Sequence, residues 1–210
     1  MSARSASNSL ATSVKGRLVL ASSSVYRRAL LKRFGLPFTW QAPEIDESSQ
    51  VNETPLALVR RLALAKARAL VADQSNALII GSDQVAIIDG QPLGKPGNEA
   101  DAVLQIEAAS GRTVRFLTSV CVFDATRRAY ELAVVTSDVR FRRLDVQHIR
   151  NYVRRERPLD CAGSFKCEGL GIALFDAIIA DDPTALIGLP LIALAAMLAR
   201  AGLNILDDSP

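Results

Sequence analysis

The chain has 210 residues, of which 49% are apolar and 22% are charged, close to the average of soluble globular proteins. This length can bury a core without disulfides, and 12 glycines and 9 prolines exclude a fibrous or wholly disordered chain. A net charge of +3 is too small to predict a nucleic-acid partner, although it is compatible with an anionic ligand.

Histidine and cysteine are scarce, and this excludes several kinds of site. The three cysteines, Cys121, Cys161 and Cys167, form no CxxC pair, and His148 is the only histidine. A structural zinc site is therefore not expected, and a hydrolase with a histidine-activated nucleophile would have a single base available. His148 also falls off the apolar stripe of its predicted helix, which favours a surface position. Cysteines without a disulfide framework predict a reducing compartment.

Two segments of biased composition resemble neither a membrane span nor a secretory signal. Residues 185–199 form the longest apolar run, but this run of 15 residues is interrupted by Gly188 and Pro190. A transmembrane helix needs about 20 residues. Residues 1–16 are rich in serine and lack both acidic residues and the apolar core of a signal peptide. We predict that they form a disordered tail before a domain at 17–210.

Short apolar runs alternate with helical patterns from residue 17 onward. In chain order, the first half predicts a strand at 18–21, a helix to about Phe34, a strand at 38–41, a helix from Thr54-Pro55 to about Val71, and a strand at 77–81 that continues through 85–88 to an Asp89-Gly90 turn. The helix starts rest on capping residues, and the turn rests on the aspartate–glycine pair.

The second half of the chain contains the longest predicted strands. It predicts a helix capped by Asn98 that ends near Ala109, two tightly connected strands at 114–123 and 130–141, a helix at 145–156, a strand at 171–179, and a helix at 189–201. Strands that alternate with helices and are interrupted by one antiparallel pair predict a mixed α/β fold.

Neither common nucleotide-binding fingerprint is present. Residues 90–96 resemble a P-loop, but the segment is one residue short, Pro96 stands where serine or threonine is required, and no GxGxxG follows a predicted strand. A different anion site is indicated by the serines 22–24, between a strand and a helix start, with Arg27 and Arg28 in the first helical turn. An anion would compensate these cations. The alternative is a serine cap followed by exposed arginines.

Charged residues also occur within otherwise apolar patterns. Lys66 lies on the apolar face of its predicted helix, so its side chain either reaches out to solvent or points into a site. Asp83 is predicted to end a buried strand, where α/β proteins bind ligands, and its carboxylate can hold a metal or act as a general base. Asp46 and Glu47, in an acidic loop, would supply further oxygen ligands suited to Mg²⁺ or Mn²⁺.

Taken together, these segments resemble a known family. The segments ASSSxxRR, PEIDE, LAxxKA, IIGSDQV, GKP and CAGSFKCEGLG resemble, in this order, those of the Maf nucleoside triphosphate pyrophosphatases, from about Leu18 to Leu203. The combination of GSDQ and GSFKCEG is similar to the branch that acts on 7-methyl-GTP rather than to those that act on dTTP and UTP. Val25-Tyr26 stands where that branch has Pro-Trp, and Tyr26 keeps an aromatic face.

The resemblance implies an elongated, twisted α/β sheet flanked by helices, a cytoplasmic location, a divalent metal cation (Mg²⁺, Mn²⁺ or Co²⁺) and release of pyrophosphate from a nucleoside triphosphate. It implies that Asp83 is the proton acceptor, that Glu47 assists with metal or water, and that both are metal ligands. The triphosphate would be bound by Ser22, Arg27, Lys66 and Lys95. The base would be selected by Tyr26, Gln84 and Glu168. For Tyr26 and Glu168, the alternatives are core packing against Leu30 and the capping of a turn.

The residues leave the chemical role of Asp83 and the class of function open. Asp83 either deprotonates water directly or binds the metal that lowers the pKa of water. A rival of another class is a nucleotide- or nucleic-acid-binding regulator, because the family has been associated with inhibition of septum formation. No membrane or nucleic-acid partner is expected, and the oligomeric state is open, with a homodimer as one candidate. Metal-dependent release of pyrophosphate would favour the enzyme, whereas salt-sensitive DNA retention would favour the regulator.

Overall fold

The computed structural model describes residues 17–207, so the predicted tail at 1–16 lies outside the described residues. Its strands are β1 (Arg17–Ala21), β2 (Phe38–Gln41), β3 (Ala77–Ile88), β4 (Gln91–Leu93), β5 (Thr113–Asp124), β6 (Ala129–Phe141) and β7 (Phe175–Ala180). Its α-helices are α1 (Val25–Leu31), α2 (Pro55–Ala69), α3 (Glu99–Ala109), α4 (Val146–Glu156) and α5 (Leu191–Arg200). Short 3₁₀ segments are Lys32–Phe34, Ala162–Ser164, Leu170–Leu174 and Ala185–Ile187.

The strands form one mixed sheet in the order β2-β1-β3-β5-β6-β7, and β4 pairs with β3. β1 lies parallel to β2 and β3, whereas β5 is antiparallel to both β3 and β6, and β7 is antiparallel to β6. The mixed α/β fold predicted from the sequence is confirmed. Within residues 17–207, none of the helices combines the length and the apolar character that crossing a membrane requires.

Alternating side chains of β3 divide the core between the two faces of the sheet. On one face, Ile79 packs with residues of α2. On the other face, Ile80 belongs to a cluster with α1 and α5, whereas Ala86 belongs to a second cluster with α3 and α4. Between these two clusters, Ser82 and Gln84 replace apolar residues on the same face. The middle of β3 is therefore polar on the side where the two clusters meet.

Elements whose signals are local agree well with the prediction. Thr54 and Asn98 cap α2 and α3 with their side chains, as their residue types predict. Asp89 and Gly90 both have positive φ, at 49° and 80°, and connect β3 to β4. Positive φ at both positions is the requirement of a tight type I′ hairpin. His148 is exposed, as predicted.

The prediction that Asp83 ends a strand is wrong. β3 continues without interruption through Asp83, which is paired with Ser119 of the antiparallel β5. The strand that ends beside it is β1, whose pairing with β3 stops after Leu20. The chain then leaves the sheet and exposes the middle of β3. Asp83 is therefore in the middle of β3, next to the point where the neighbouring parallel strand β1 ends.

The predicted strand at 171–179 is only partly correct, because β7 begins at Phe175 and is preceded by a 3₁₀ turn. The backbone at Gly171 lies against an earlier loop, so a Cβ there would be 2.4 Å from the carbonyl oxygen of Lys166. Hydropathy along the chain does not report such an approach. β4 was not predicted, since it has 3 residues and contains Pro92, an edge-strand residue.

Helix α2 packs directly on the backbone of β3 at Gly81. A Cβ at this position would be 2.0 Å from the carbonyl oxygen of Ala63 and 2.9 Å from the amide nitrogen of Ala67. Both atoms belong to the helix backbone, which cannot yield as the end of a flexible side chain can. The absence of a side chain at position 81 thus sets how closely α2 approaches the sheet, and with it the position of Lys66.

We expect Gly81→Ala to lower the free energy of unfolding by about 3 kcal/mol, because α2 must move away from the sheet to admit the methyl group. Urea denaturation followed by circular dichroism measures this change. The matched control is Gly94→Ala, since a Cβ at Gly94 meets no atom within 4 Å. Its effect should stay within about 0.5 kcal/mol. Equal losses in the two variants would contradict the close approach.

Candidate active site

A cavity of about 500 Å³ opens over the middle of β3 and receives residues from both faces of the sheet. Its wall includes the turn after β1, the start of α1, one face of α2, the loop at 160–168 and residues 186–188. The residues to which the family resemblance assigns a role all line it: Ser22, Tyr26, Arg27, Glu47, Lys66, Asp83, Gln84, Lys95 and Glu168. Asp46 and Arg28, the other charged candidates, do not line it, and Arg28 lies over the ring of Trp40. The structure therefore brings together in one place residues that are far apart in the chain.

Lys66 and Asp83 form a buried ion pair in the wall of the cavity. The ammonium Nζ of Lys66 donates to Asp83 Oδ1 at 2.7 Å and to Glu47 Oε2 at 2.9 Å. Lys66 is 4% exposed and Asp83 is 7% exposed, while Glu47 lies at the surface. Of the two orientations open to Lys66, the structure selects the inward one. Its side chain does not reach out to solvent, because two carboxylates compensate its charge inside the protein.

The loop that carries Glu47 is held by Arg61 and Glu53. Arg61 Nε donates to Glu53 Oε1 at 2.6 Å, and Arg61 Nη2 donates to the carbonyl oxygen of Ser48 at 2.9 Å. The Arg61 guanidinium, together with the Gln50 amide, lowers the pKa of Glu53 to about 2. The carboxylate of Asp46 accepts from Ser48 within the loop, which lowers its pKa, and Asp46 does not line the cavity.

Asp83 and Glu47 supply carboxylate oxygens, the donor type that Mg²⁺ prefers. The oxygens that converge, Asp83 Oδ1 and Glu47 Oε2, do so on the Nζ of Lys66, so this point is held by the protein's own cation. Mg²⁺ is commonly bound by one or two carboxylates together with substrate phosphates, and only the other oxygen of each carboxylate is left for such a role. Within residues 17–207, His, Cys, Asp and Glu form no group of three or more that could hold a metal.

Arg27 supplies a cation at another wall of the cavity. Its Nε donates to the carbonyl oxygen of Gly188 at 2.9 Å, and its guanidinium forms no ion pair with residues 17–207. Burial lowers the pKa of Arg27, and the more distant charges of Asp83 and Glu47 oppose this effect only in part. A partly buried guanidinium whose terminal amino groups have no partner among residues 17–207 is the arrangement expected of a site that binds an anion.

The serines before α1 and the loop after β4 complete this part of the wall. Ser24 caps α1 by accepting from the Arg27 amide, and the buried Ser22 hydroxyl oxygen accepts from the Ser24 amide at 3.1 Å. The Ser22 hydroxyl keeps its hydrogen available for a ligand. Lys95, in the loop after β4, is exposed and also lines the cavity.

Tyr26, Glu168 and Asp160 mark a second, acidic part of the cavity. Tyr26 is half-buried and lines the cavity, so it is not a core residue as Leu30 is. Burial raises the pKa of Tyr26, and the neighbouring Cys161, Asp160 and Glu168 raise it further. The phenol is therefore neutral and offers an aromatic face and a hydroxyl.

Helix α4 holds the segment that presents Glu168. Tyr152 Oη accepts from the amide of Lys166 at 3.1 Å, and Glu156 Oε2 accepts from the amide of Leu170 at 2.9 Å. These bonds lie on either side of Glu168, whose own carboxylate is exposed toward the cavity. The side chain that caps the segment is therefore Glu156.

The side-chain amide nitrogen of Gln84, a residue predicted to select the base, is fully used in hydrogen bonds within the protein. Its Nε2 donates to the carbonyl oxygens of Ala185 and Leu186 at 2.9 and 3.1 Å, and lies 2.9 Å from Thr118 Oγ1. The residues near 185–188 were not predicted as part of the site. A sequence signal was present, because Gly188 and Pro190 interrupt the apolar run there.

The fold and this cavity define a mixed α/β protein with a site suited to a phosphorylated ligand. The profile of the Maf-like protein family matches residues 17–201, and the chain belongs to this family.

Relatives of the chain resemble it over most of their length. The 7-methyl-GTP pyrophosphatase of Xanthomonas axonopodis pv. citri (strain 306) is 53% identical over 189 residues, which cover 90% of this chain and 98% of the relative. The 7-methyl-GTP pyrophosphatase of Pseudomonas aeruginosa is 50% identical over 188 residues, with the same coverage of 90% and 98%. Among solved structures, the Ham1 protein of Staphylococcus aureus aligns with a TM-score of 0.43 at 14% identity, over 60% of this chain and 71% of that one.

We expect Arg61→Ala to raise the pKa of Glu53 from about 2 toward its ordinary value near 4.5, because the main hydrogen-bond donor is lost. In the parent protein, the stabilisation from this depressed pKa is present above the ordinary value and is lost as pH falls through about 2. A carboxyl ¹³C NMR titration measures the pKa. Arg60→Ala, one residue away and exposed, is the control and should leave it unchanged. An unchanged Glu53 pKa in Arg61→Ala would show that the hydrogen bond from Arg61 does not cause the low pKa of Glu53.

Proposed function

We propose that this chain hydrolyses 7-methyl-GTP to 7-methyl-GMP and pyrophosphate, as the names of its relatives describe for them. The observation that carries the proposal is the charge arrangement of the cavity. One cavity is lined by a carboxylate pair bound to a buried lysine, by a guanidinium without an anionic partner among the described residues, and by an aromatic, acidic recess. These are the groups that hydrolysis of a triphosphate with a cationic base would require.

The triphosphate is bound by the cationic side of the cavity. Arg27, Lys66 and Lys95 offset its negative charges, and Ser22 donates its hydroxyl hydrogen to a phosphate oxygen. Their effect grows as charge accumulates on the leaving pyrophosphate, so they stabilise the transition state more than the bound substrate.

Water is the nucleophile. Its oxygen attacks the α-phosphorus, the bond between the α-phosphorus and the bridging oxygen to the β-phosphorus breaks, and pyrophosphate leaves with the electron pair. Asp83 accepts the proton of the attacking water, and Glu47 orients that water. In the alternative role, Asp83 and Glu47 would hold a divalent cation that lowers the pKa of the water. No covalent intermediate is needed, since no serine or cysteine of the cavity is paired with a histidine base.

A divalent cation (Mg²⁺, Mn²⁺ or Co²⁺) belongs to this proposal, with Asp83 and Glu47 as its protein ligands. When bound, it would neutralise phosphate charge and lower the pKa of water. We also place the enzyme in the cytoplasm, where the free thiols of Cys121, Cys161 and Cys167 are compatible with reducing conditions.

The acidic recess selects the base. Guanine presents N1–H and the N2 amino group, which one carboxylate such as that of Glu168 accepts together. Methylation at N7 makes the ring cationic. The Glu168 charge and the face of Tyr26 therefore both favour 7-methylguanine, and a cation–π contact contributes about 0.5–2 kcal/mol.

Asp83→Asn is expected to lower kcat at least about 100-fold while the fold persists, because the amide keeps the size of the side chain but cannot act as a base or as an anionic ligand. Pyrophosphate release from 7-methyl-GTP with Mg²⁺, Mn²⁺ or Co²⁺ measures the rate, and circular dichroism checks the fold. Asp89→Asn, in the exposed turn that follows the same strand, is the matched control. Activity within a few-fold of the parent would remove Asp83 from the mechanism.

For Glu168→Gln, we expect kcat/KM for 7-methyl-GTP to fall about tenfold or more, with a much smaller loss for UTP, because the amide oxygen alone cannot accept both guanine donors. Both substrates are assayed with the same enzyme preparation, so their ratio is independent of the folded fraction. Equal losses on both substrates would assign Glu168 to catalysis or folding instead of base selection.

A further inference from the structure

The loop between β7 and α5, residues 182–190, is anchored at its start by a buried carboxylate. Asp182 is 3% exposed, and its Oδ1 accepts from the amide of Thr184 at 2.9 Å and from the Thr184 hydroxyl at 2.5 Å. Its Oδ2 accepts from the amide of Ile192 at 2.7 Å, and Thr184 Oγ1 accepts from the amide of Leu191 at 2.8 Å. Asp182 thereby ties the loop to the first turn of α5.

The backbone carbonyl groups of this loop bind side chains of the cavity. The Gly188 carbonyl oxygen accepts from Arg27 Nε and from Ser82 Oγ, both at 2.9 Å. The carbonyl oxygens of Ala185 and Leu186 accept from Gln84 Nε2. One loop thus contacts a residue assigned to the phosphates and a residue assigned to the base.

These bonds determine which atoms of Arg27 remain for the substrate. With Nε bound to Gly188, the terminal amino groups make no hydrogen bond to residues 17–207. A guanidinium is planar, so fixing Nε also fixes the direction of the free edge. Gly188 has φ of 118°, a backbone conformation that residues with side chains rarely adopt, and this conformation sets where its carbonyl points.

The same bonds determine how Gln84 faces the cavity. Carbonyl oxygens cannot donate hydrogen bonds, so the nitrogen of the amide must face Ala185 and Leu186. Gln84 Oε1 receives no hydrogen bond from the described residues and is left as the polar atom available to a ligand. Gln84 therefore acts as an acceptor, which matches a donor edge such as that of guanine.

From this geometry we infer that Asp182 is a positioning residue: through the carbonyl groups of the 182–190 loop, it orients Arg27 toward the phosphates and Gln84 toward the base. The inference rests on the proposed function for the identity of the substrate. A residue that merely capped α5 would stabilise the fold without affecting base preference. A residue that orients the loop affects both ends of the substrate together.

The test is Asp182→Asn, in which an amide NH₂ faces at least one of the backbone or hydroxyl donors that the carboxylate accepts. We expect kcat/KM for 7-methyl-GTP to fall about tenfold to 100-fold, as small misplacements of binding groups do. The preference for 7-methyl-GTP over UTP should fall as well, and the affinity for inorganic pyrophosphate, measured by calorimetry, should weaken.

Asp145→Asn is the matched control. Asp145 caps α4, accepting from the amide of Gln147 at 2.7 Å, and makes no hydrogen bond to the loop. It undergoes the same chemical change at a helix N-terminus and should leave base preference and pyrophosphate affinity unchanged. If Asp182→Asn lowered the melting temperature but matched this control in both measurements, Asp182 would be only a helix cap and the inference would be overturned.

Gly188→Ala keeps the test decisive if Asp182→Asn folds poorly. A Cβ at Gly188 would lie 3.7 Å from Arg27 Nε, an ordinary contact, so the variant perturbs the backbone conformation rather than filling space. Weaker pyrophosphate binding supports the step on which the inference depends, that the loop carbonyl orients Arg27, and unchanged binding and base preference overturn the inference. Should the parent protein release no pyrophosphate from any nucleotide, the proposed function fails on its own. Pyrophosphate affinity in the same variants then still decides whether the loop orients Arg27.

Discussion

Lys66 donates hydrogen bonds from a buried ammonium group to Asp83 and Glu47, and these three residues come from a helix, a central strand and a loop. Removing an ammonium group from water costs several kcal/mol, which carboxylate partners offset only when they are close. The three elements must therefore meet accurately. A buried ion pair is weak evidence for a stabilising role, so its place in the cavity wall is better explained by the chemistry of the site.

The relative positions of the helix, the strand and the loop depend on packing outside the ion pair. Gly81 lets α2 approach the backbone of β3, which places Lys66 at the depth of Asp83. Arg61, on the same helix, binds Glu53 and the backbone of Ser48, and so holds the loop that brings in Glu47. One helix thus positions the cation and, through this loop, Glu47, whereas the sheet positions Asp83.

Charge is separated along the cavity, and the separation matches the proposed substrate. Arg27 and Lys66 lie on the side of Asp83, whereas Asp160 and Glu168 surround Tyr26. A 7-methylguanosine triphosphate has an anionic tail and a cationic base, so it is complementary to this distribution in one orientation. The 182–190 loop contacts both regions, at Arg27 and at Gln84, and thereby couples their geometry.

The amino-acid sequence by itself determined the elements whose signals are local. Thr54 and Asn98 cap their helices, and the Asp89-Gly90 pair turns the chain, because capping and turn geometry depend on neighbouring residues. The residues of the candidate site were also predictable, through the motifs that carry the resemblance. The direction of the Lys66 side chain was not predictable, because both an inward and an outward orientation agree with its place on an apolar stripe.

Tertiary structure decided what depends on contacts between distant parts of the chain. Asp83 lies beside a strand end that belongs to β1, and the amide of Gln84 is oriented by Leu186, 102 residues away. The turn at Gly171 follows from its contact with the backbone of Lys166. Periodicity reports which face of an element is buried but not which atoms it meets there. Hydrogen-bond partners and close approaches are therefore fixed only when the elements pack.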